Sequence, residues 1–424
     1  MTARPPTSAA DVVPLLAMGC RWSLDLGGMP EGEVAVMRDR WSRCATLATA
    51  PDALVLDPEV ELIQVVSADD QPLSDQTAEG VRVALHDAAQ LPYDLSRAIT
   101  RRGIHRLRGT GPLLLHAASV SEGDRAVVLV AQSGGGKSTA ARRLSRSFGY
   151  VTDESVVITA DGDIAPYPKP PSIIVDPARP GDKDEPPPDE VGMNATPATV
   201  RLATLLGLRR EPETATPQIV EVDLAEHLLD LIPETSSLWL VEQGLDRLAR
   251  AATTGGPPAQ LRYAEIDECI DLLREHLAEA APVEPWWVHL PPPAEEAWRD
   301  AVPPRPDDDL LSEDLGIGSS VVRAPWSDAL DDNGALVILQ GSAVYAIEAT
   351  VRAVWLVLGE PLTVREVVDA VVALQGPHPD AEDLVLQAVR ALVEQGLVHP
   401  FAVSPTPTVG QGHRAEGRHR LRGP

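Results

Sequence analysis

The sequence predicts an α/β protein of more than one domain, its core built around a Gly-rich, phosphate-cradling loop. Three observations carry this expectation. The 424 residues, 44% of them apolar, can fill two or three hydrophobic cores. Strand-like apolar runs over 113–120 and 126–131 lead directly into Ala131-Gln-Ser-Gly-Gly-Gly-Lys-Ser-Thr139, which opens a helix. A stretch rich in Pro and Asp over 281–317 then separates this region from a second periodic block at 318–401.

The formal net charge of −27 disfavours nucleic acid and anionic membranes as partners, because phosphate surfaces attract a basic face. Small molecules and peptides fit better. Cys20, Cys44 and Cys269 are odd in number and widely spaced, so neither a disulfide framework nor a zinc knuckle is expected. With no basic-then-apolar leader and no run of 18 apolar residues, the sequence reads as that of a cytoplasmic protein. Only three lysines (Lys137, Lys169, Lys183) stand beside 33 arginines. An ammonium and a guanidinium are not interchangeable at a tight site, so the retained lysines mark candidate chemistry.

Taken in order, residues 1–110 form an accessory α/β region with apolar runs at 53–56 and 61–66 and a helical pattern over 78–89. A strand–turn–strand unit occupies 113–131, then come the loop and a helix whose Ala140, Ala141 and Leu144 face the sheet. Residues 180–197 read as an exposed loop, 237–241 as a strand and 265–276 as an amphipathic helix. Within the 281–317 linker, the Trp286-Trp287 pair suggests either docking on a neighbour or an exposed or partly buried anchor. Ala335-Leu-Val-Ile-Leu339 and Ala343-Val-Tyr-Ala-Ile347 read as a hairpin about Gln340-Gly-Ser342. Three helices come next: one presenting Val351, Val354, Trp355 and Leu358, one opened by a Thr363–Glu366 capping box, and one running from Asp380 to Gly396. The polar tail 402–424 is expected to be disordered.

A strand that enters a Gly-rich loop and then a helix aims successive backbone N–H groups and the helix N-terminus at anionic oxygens. The candidate nucleotide-binding residues are Ser133, Gly134, Gly135, Gly136, Lys137, Ser138 and Thr139. Lys137 is placed to reach the β- and γ-phosphates of ATP, and the Ser138 hydroxyl to ligate Mg²⁺. The usual first glycine of the pattern is replaced by Ala131, which is tolerable at negative φ. Asp153-Glu154, ahead of the apolar run Ser155-Val-Val-Ile158, suit Mg²⁺ coordination and acceptance of a hydroxyl proton. Solvated loop acids would look the same.

His116, residues 126–139, Gly149-Tyr-Val-Thr-Asp-Glu154 and Pro168-Lys-Pro-Pro-Ser172 together resemble the catalytic domain of HPr kinase/phosphorylase and its relatives. The resemblance implies ATP and Mg²⁺ as cofactors, Asp153 as base or metal-linked acid, Glu154 as its assistant and His116 beside the transferring phosphate. Lys169 could add charge opposite the phosphates, or be an exposed lysine of a rigid Pro-rich turn. Tyr345-Ala-Ile-Glu-Ala-Thr-Val-Arg-Ala-Val-Trp355, Gly359, Thr363-Val-Arg-Glu-Val367 and Gln395-Gly-Leu-Val398 resemble the PqqD family of small winged-helix domains. This second resemblance covers about 80 residues and implies binding of precursor leader peptides by strand addition. The expectation is a kinase for a hydroxyl of a ribosomally made precursor peptide. Two others stand beside it: a nucleotide-responsive scaffold serving separate maturation enzymes, and a small-molecule kinase. An oligomer is compatible with all three.

Overall fold

The computed structural model describes residues 11–67, 80–175, 183–214, 216–292 and 315–401. The chain is mixed α/β with several sheets and divides into two compact units, Met1–Pro292 with Trp326–Ile347, and Pro293–Pro325 with Glu348–Pro424.

The first unit opens on β1 (Val12–Ala17), β2 (Cys20–Asp25), α1 (Glu31–Arg40), α2 (Ser42–Thr49), β3 (Asp57–Ser67), β4 (Val81–Leu85) and α3 (Leu91–Leu107). The four strands make one sheet in sequence order, β1–β2 antiparallel and the rest parallel. The helix expected over 78–89 is instead β4. Val81-Arg-Val-Ala-Leu alternates in the strand period and pairs along Ile63–Ser67, so the partner strand overrides local helix preference; residues 78–79 lie outside the described residues. The apolar run at 53–56 precedes β3 and is not a strand. Trp22, Trp41, Leu95 and Ile99 form a core that also takes in Leu114, Val157 and Tyr167, so this region shares its interior with the central sheet.

That central sheet contains β5 (Leu113–Glu122), β6 (Arg125–Val130), β7 (Gly149–Thr152), β8 (Ser155–Ile158), β9 (Asp163–Ala165), β12 (Val200–Arg210), β13 (Gln218–Glu221) and β14 (Ala259–Tyr263), while β10 (Ile173–Ile174) and β11 (Lys183–Asp184) pair separately. The order is β13-β14-β12-β6-β5-β8-β9, with β7 also on β5. Strands β6, β12 and β14 are parallel. Both faces are covered, which is why β6 reads as an unbroken apolar run. One face packs on α4 (Lys137–Leu144) and α7 (Ile270–Glu279) through Ala140, Leu144, Leu273 and Leu277. The other packs on α5 (Leu224–Leu231) and α6 (Gly244–Ala252).

A second sheet covers α5 and α6. After β15 (Val288–Leu290) the chain supplies β16 (Ser320–Arg323) to the second unit and returns with β17 (Asp328–Asp331), β18 (Ala335–Gln340) and β19 (Ala343–Glu348). The order is β15-β17-β18-β19, and Trp287, Leu330, Ala335, Val337 and Leu339 join the core of α5 and α6. The β18–β19 hairpin, expected beside the C-terminal helices, therefore packs in the first unit. Trp287, in the expected linker, is buried and donates from Nε1 to Asp246 Oδ1 at 2.9 Å, whereas Trp286 is 43% exposed. Asp328 accepts from the Leu245 amide at 2.8 Å and lies 2.7 Å from His289 Nε2, tying the start of α6 to the second sheet.

Two further elements differ from expectation. Residues 237–241 form a short 3₁₀ helix, Leu238–Leu240, because Ser237 (φ 58) and Gln243 (φ 55) break the extended path on either side. The helix over 265–276 begins as a 3₁₀ turn, Ile266–Cys269, before α7.

The second unit holds α8 (Ala349–Val357), α9 (Val364–Gln375), α10 (Ala381–Glu394) and a three-stranded sheet ordered β20 (Leu362–Thr363), β16, β21 (Val398–Phe401). Its core gathers Val354, Trp355, Val367, Val371, Val389 and Leu392, all buried. The Arg323 guanidinium stacks 4.0 Å from the Trp355 ring centroid and donates from Nε to the Trp355 carbonyl at 2.7 Å. Thr363 and Glu366 form the expected reciprocal cap. Residues 293–314 of the expected linker and the tail 402–424 lie outside the described residues. Among the described residues, no helix is long and apolar enough to cross a membrane.

Candidate functional site

Strand β6 ends at Val130, the loop turns through Ala131–Gly136, and α4 starts at Lys137. Gly136 caps α4 at φ 94, a conformation a side chain resists, and Gly134 sits at φ 82. Gly135 is required for another reason: a Cβ there would lie 2.7 Å from the Ala131 Cβ and 2.9 Å from the Gln132 carbonyl oxygen. Ala131 keeps a negative φ, as its side chain requires. Ser133, Gly134, Ser138 and Thr139 are exposed.

Lys137 is buried although charged, and its Nζ donates to the Ala131 carbonyl and to Glu234 Oε2 at 3.2 Å. His116 Nδ1 lies 3.1 Å from that same oxygen. Glu234 thus collects the loop lysine and the strand histidine on one carboxylate. Its backbone is fastened to β5 by the Leu115–Thr235 bridge and by Ser236 donating to the Leu114 carbonyl at 2.8 Å. Sequence reasoning missed Glu234. It lies 97 residues beyond Lys137 in an unremarkable Ile232-Pro-Glu234 turn, and only the fold brings the two together.

Asp153 and Glu154 do stand beside the loop, with Ser138 Oγ 3.4 Å from the Asp153 carbonyl. The Asp153 carboxylate, however, is buried and occupied. Oδ1 accepts from Tyr150 OH at 3.0 Å and lies 3.1 Å from Lys169 Nζ; Oδ2 accepts from the Ser172 amide at 3.1 Å. Lys169 is 0% exposed and has Glu154 Oε2 at 3.5 Å and Glu185 Oε1 at 3.7 Å. This corrects the reading of an exposed turn lysine: the Pro-rich segment buries the ammonium among three carboxylates. Burial alone would lower the Lys169 pKa, but Asp153, Glu185 and Glu154 outweigh it and hold the ammonium protonated. Burial pushes the Glu185 carboxyl upward against the pull of Lys169. The retention of lysine in an arginine-rich chain and the Pro168-Lys-Pro-Pro-Ser172 segment were the signals pointing to this residue.

Two cavities flank this centre. The larger, ≈ 730 Å³, is lined by Gly134–Gly136, Thr139, Arg143, Gly207–Arg210, His227, Gln260 and Tyr263, among others. It opens at the carboxyl ends of β6, β12 and β14, where parallel sheets take ligands, and falls in the size range of small-molecule sites, about 300–1,000 Å³. The smaller, ≈ 250 Å³, is lined by Met18, Thr100, Ile104, Leu114, His116, Glu154 and Ser236. His116 therefore touches both the small cavity and the Lys137–Glu234 pair.

Among the described residues, no group of three or more His, Cys, Asp or Glu side chains is arranged to hold a metal. The donors near the loop fit Mg²⁺ in its usual mode, one hydroxyl with the remaining positions filled by phosphate oxygens and water. Ser138, exposed at the start of α4, carries a hydroxyl that could take that position. Asp153 already spends three acceptor positions on Tyr150, Lys169 and the Ser172 amide. No family model and no curated protein matches the chain.

Proposed function

We propose that the first unit is an ATP- and Mg²⁺-dependent phosphotransferase of HPr kinase-like, P-loop architecture, acting on a hydroxyl. The observation that supports this reading best is Lys137. Its ammonium lies against the Gly-rich loop, donating to the Ala131 carbonyl, and holds a carboxylate oxygen, Glu234 Oε2, where a phosphate oxygen would otherwise be drawn. Catalysis in this reading rests on placement and charge neutralisation. Lys137 and the loop amides would hold the phosphates, and Ser138 would ligate Mg²⁺, which would neutralise phosphate charge. The acceptor hydroxyl enters from the small cavity, attacks the γ-phosphorus and releases ADP. Its proton passes to His116, whose Nδ1 is held by Glu234. Asp153, fixed by Lys169, shapes the loop's edge.

The second unit, read as PqqD-like and winged-helix, supplies the substrate class: a ribosomally made precursor peptide whose leader adds to a sheet edge. Tethering raises the effective concentration of a poor acceptor. Titration calorimetry with Mg²⁺·ATP tests the nucleotide claim. Lys137→Ala and Lys137→Arg should each weaken binding by about tenfold or more, the arginine because a planar fork does not replace a point charge. Wild-type affinity in both variants would remove the claim.

The commitment of Asp153 to Lys169 favours a second reading, a nucleotide-responsive scaffold that presents the peptide to other maturation enzymes. ADP release discriminates. A chain that binds ATP yet forms no ADP with a ribosomally made precursor peptide is the scaffold.

A further inference from the structure

His227 lies on α5 with no solvent exposure, and neither ring nitrogen has a hydrogen-bond partner. A buried polar group is normally paired, and this one lines the large cavity. Gln260, on β14 and also buried, lines the same wall and donates from Nε2 to Asp230 Oδ2 at 3.4 Å. The two side chains converge over Gly207. A Cβ there would lie 2.9 Å from Gln260 Cγ and 3.4 Å from His227 Cε1, so glycine leaves room for both side chains. Gly207 pairs with Gln260 on one side and with Val130, the last residue before the loop, on the other. The orphaned imidazole is thus one strand removed from the phosphate loop, in the same cavity.

The cavity is polar in a directional sense. Amides and a helix N-terminus favour anions at the Gly134–Gly136 end. The Asp230 carboxylate opposes anions at the other and accepts N–H donors. Between them, a neutral imidazole offers one donor and one acceptor, as does the Gln260 amide. Burial keeps the ring neutral by lowering its pKa to about 4. We propose that the His227–Gln260 end of the cavity is the subsite for the base of the nucleotide, an uncharged heteroaromatic ring bearing an amino group, as adenine does. The inference rests on the nucleotide reading above and names how that site selects its ligand.

Calorimetry on the full chain separates the two claims by comparing Mg²⁺·ATP with Mg²⁺·tripolyphosphate. His227→Leu should weaken ATP by about tenfold, the order of one or two lost hydrogen bonds, and leave tripolyphosphate unchanged. Lys137→Ala should weaken both. Equal loss of both ligands in His227→Leu, or of neither, overturns the subsite, as does wild-type protein that binds tripolyphosphate as tightly as ATP. Failure of the wild type to bind either removes the nucleotide reading and the subsite with it. Should His227→Leu not fold, the imidazole ¹⁵N shifts of His227 in the wild-type chain replace it. ATP should move them and tripolyphosphate should not; unmoved shifts with bound ATP overturn the proposal.

Discussion

Oδ1 of Asp153 lies 3.1 Å from the Lys169 ammonium, and both side chains are withdrawn from solvent. A carboxylate in that position is a fixed part of the site's wall. Its remaining contacts are the Tyr150 hydroxyl and the Ser172 amide. Lys169 offsets two buried acids, Asp153 and Glu185, with the partly exposed Glu154 beside them, which makes its removal severe.

Lys169→Met should therefore destabilise the first unit by about 3–5 kcal/mol, the range for stripping one partner from a buried ion pair. Adding Asp153→Asn and Glu185→Gln to that variant should recover much of the loss, because no unpaired buried charge is left. Thermal unfolding followed by circular dichroism reads both. A single variant melting with the wild type would show that the cluster contributes no net stability.

Glu234→Gln tests the other carboxylate. Loss of its charge frees Lys137 from a competitor 3.2 Å away and removes repulsion toward incoming phosphate. Mg²⁺·ATP should bind several-fold more tightly. Turnover should nevertheless fall about 10²-fold, within the usual worth of a positioned acid–base group, since His116 loses the carboxylate that fixes its Nδ1. Unchanged ATP affinity together with unchanged ADP formation would return Glu234 to a structural role.

How much of the molecule was legible in the sequence depends on the range of each interaction. The loop, its glycines and the Thr363–Glu366 cap are set by neighbours a few residues apart, so residue type and spacing sufficed. The strand at 81–85 carries its alternation over too few residues to stand out from a helical period taken across 78–89, and pairing with β3 decides it. The placement of the β18–β19 hairpin was not legible: its alternation shows a strand pair with a buried face, and says nothing of which core receives Val337 and Leu339. Glu234, His227 and Gln260 share one cause of invisibility. Each reaches the site through a topological return of the chain, and no local pattern distinguishes a site glutamate from a solvated one.

The local cap gives a prediction confined to the second unit. Thr363→Ala removes the acceptor for the Glu366 amide and one half of a reciprocal pair at the start of α9. The expected cost is about 1 kcal/mol, with Thr363→Ser near neutral. Amide hydrogen exchange across 364–375 is the measurement. Unaltered protection in the first turn of α9 in the alanine variant would mean that packing of Val364 and Val367 alone holds the helix end.

His227 also ties acid stability to the cavity. Burial lowers its pKa from the ordinary 6.5 to about 4 in the folded chain. Between those two values the unfolded chain carries a proton at this ring and the folded chain does not. The unfolded state then binds more protons, so stability rises with pH across this window and is lost as pH falls through it. A shift of this size corresponds to about 3 kcal/mol when the window has been fully crossed. His227→Leu has no proton to bind and deletes an unpartnered buried polar group, so it should be the more stable chain below about pH 4, the advantage shrinking toward pH 7. Denaturant unfolding of both chains at pH 4, 5, 6 and 7 isolates the residue, because every other titrating group is common to the two. A difference between the chains that stays constant over that range would show that His227 takes up a proton as readily in the folded chain as in the unfolded one.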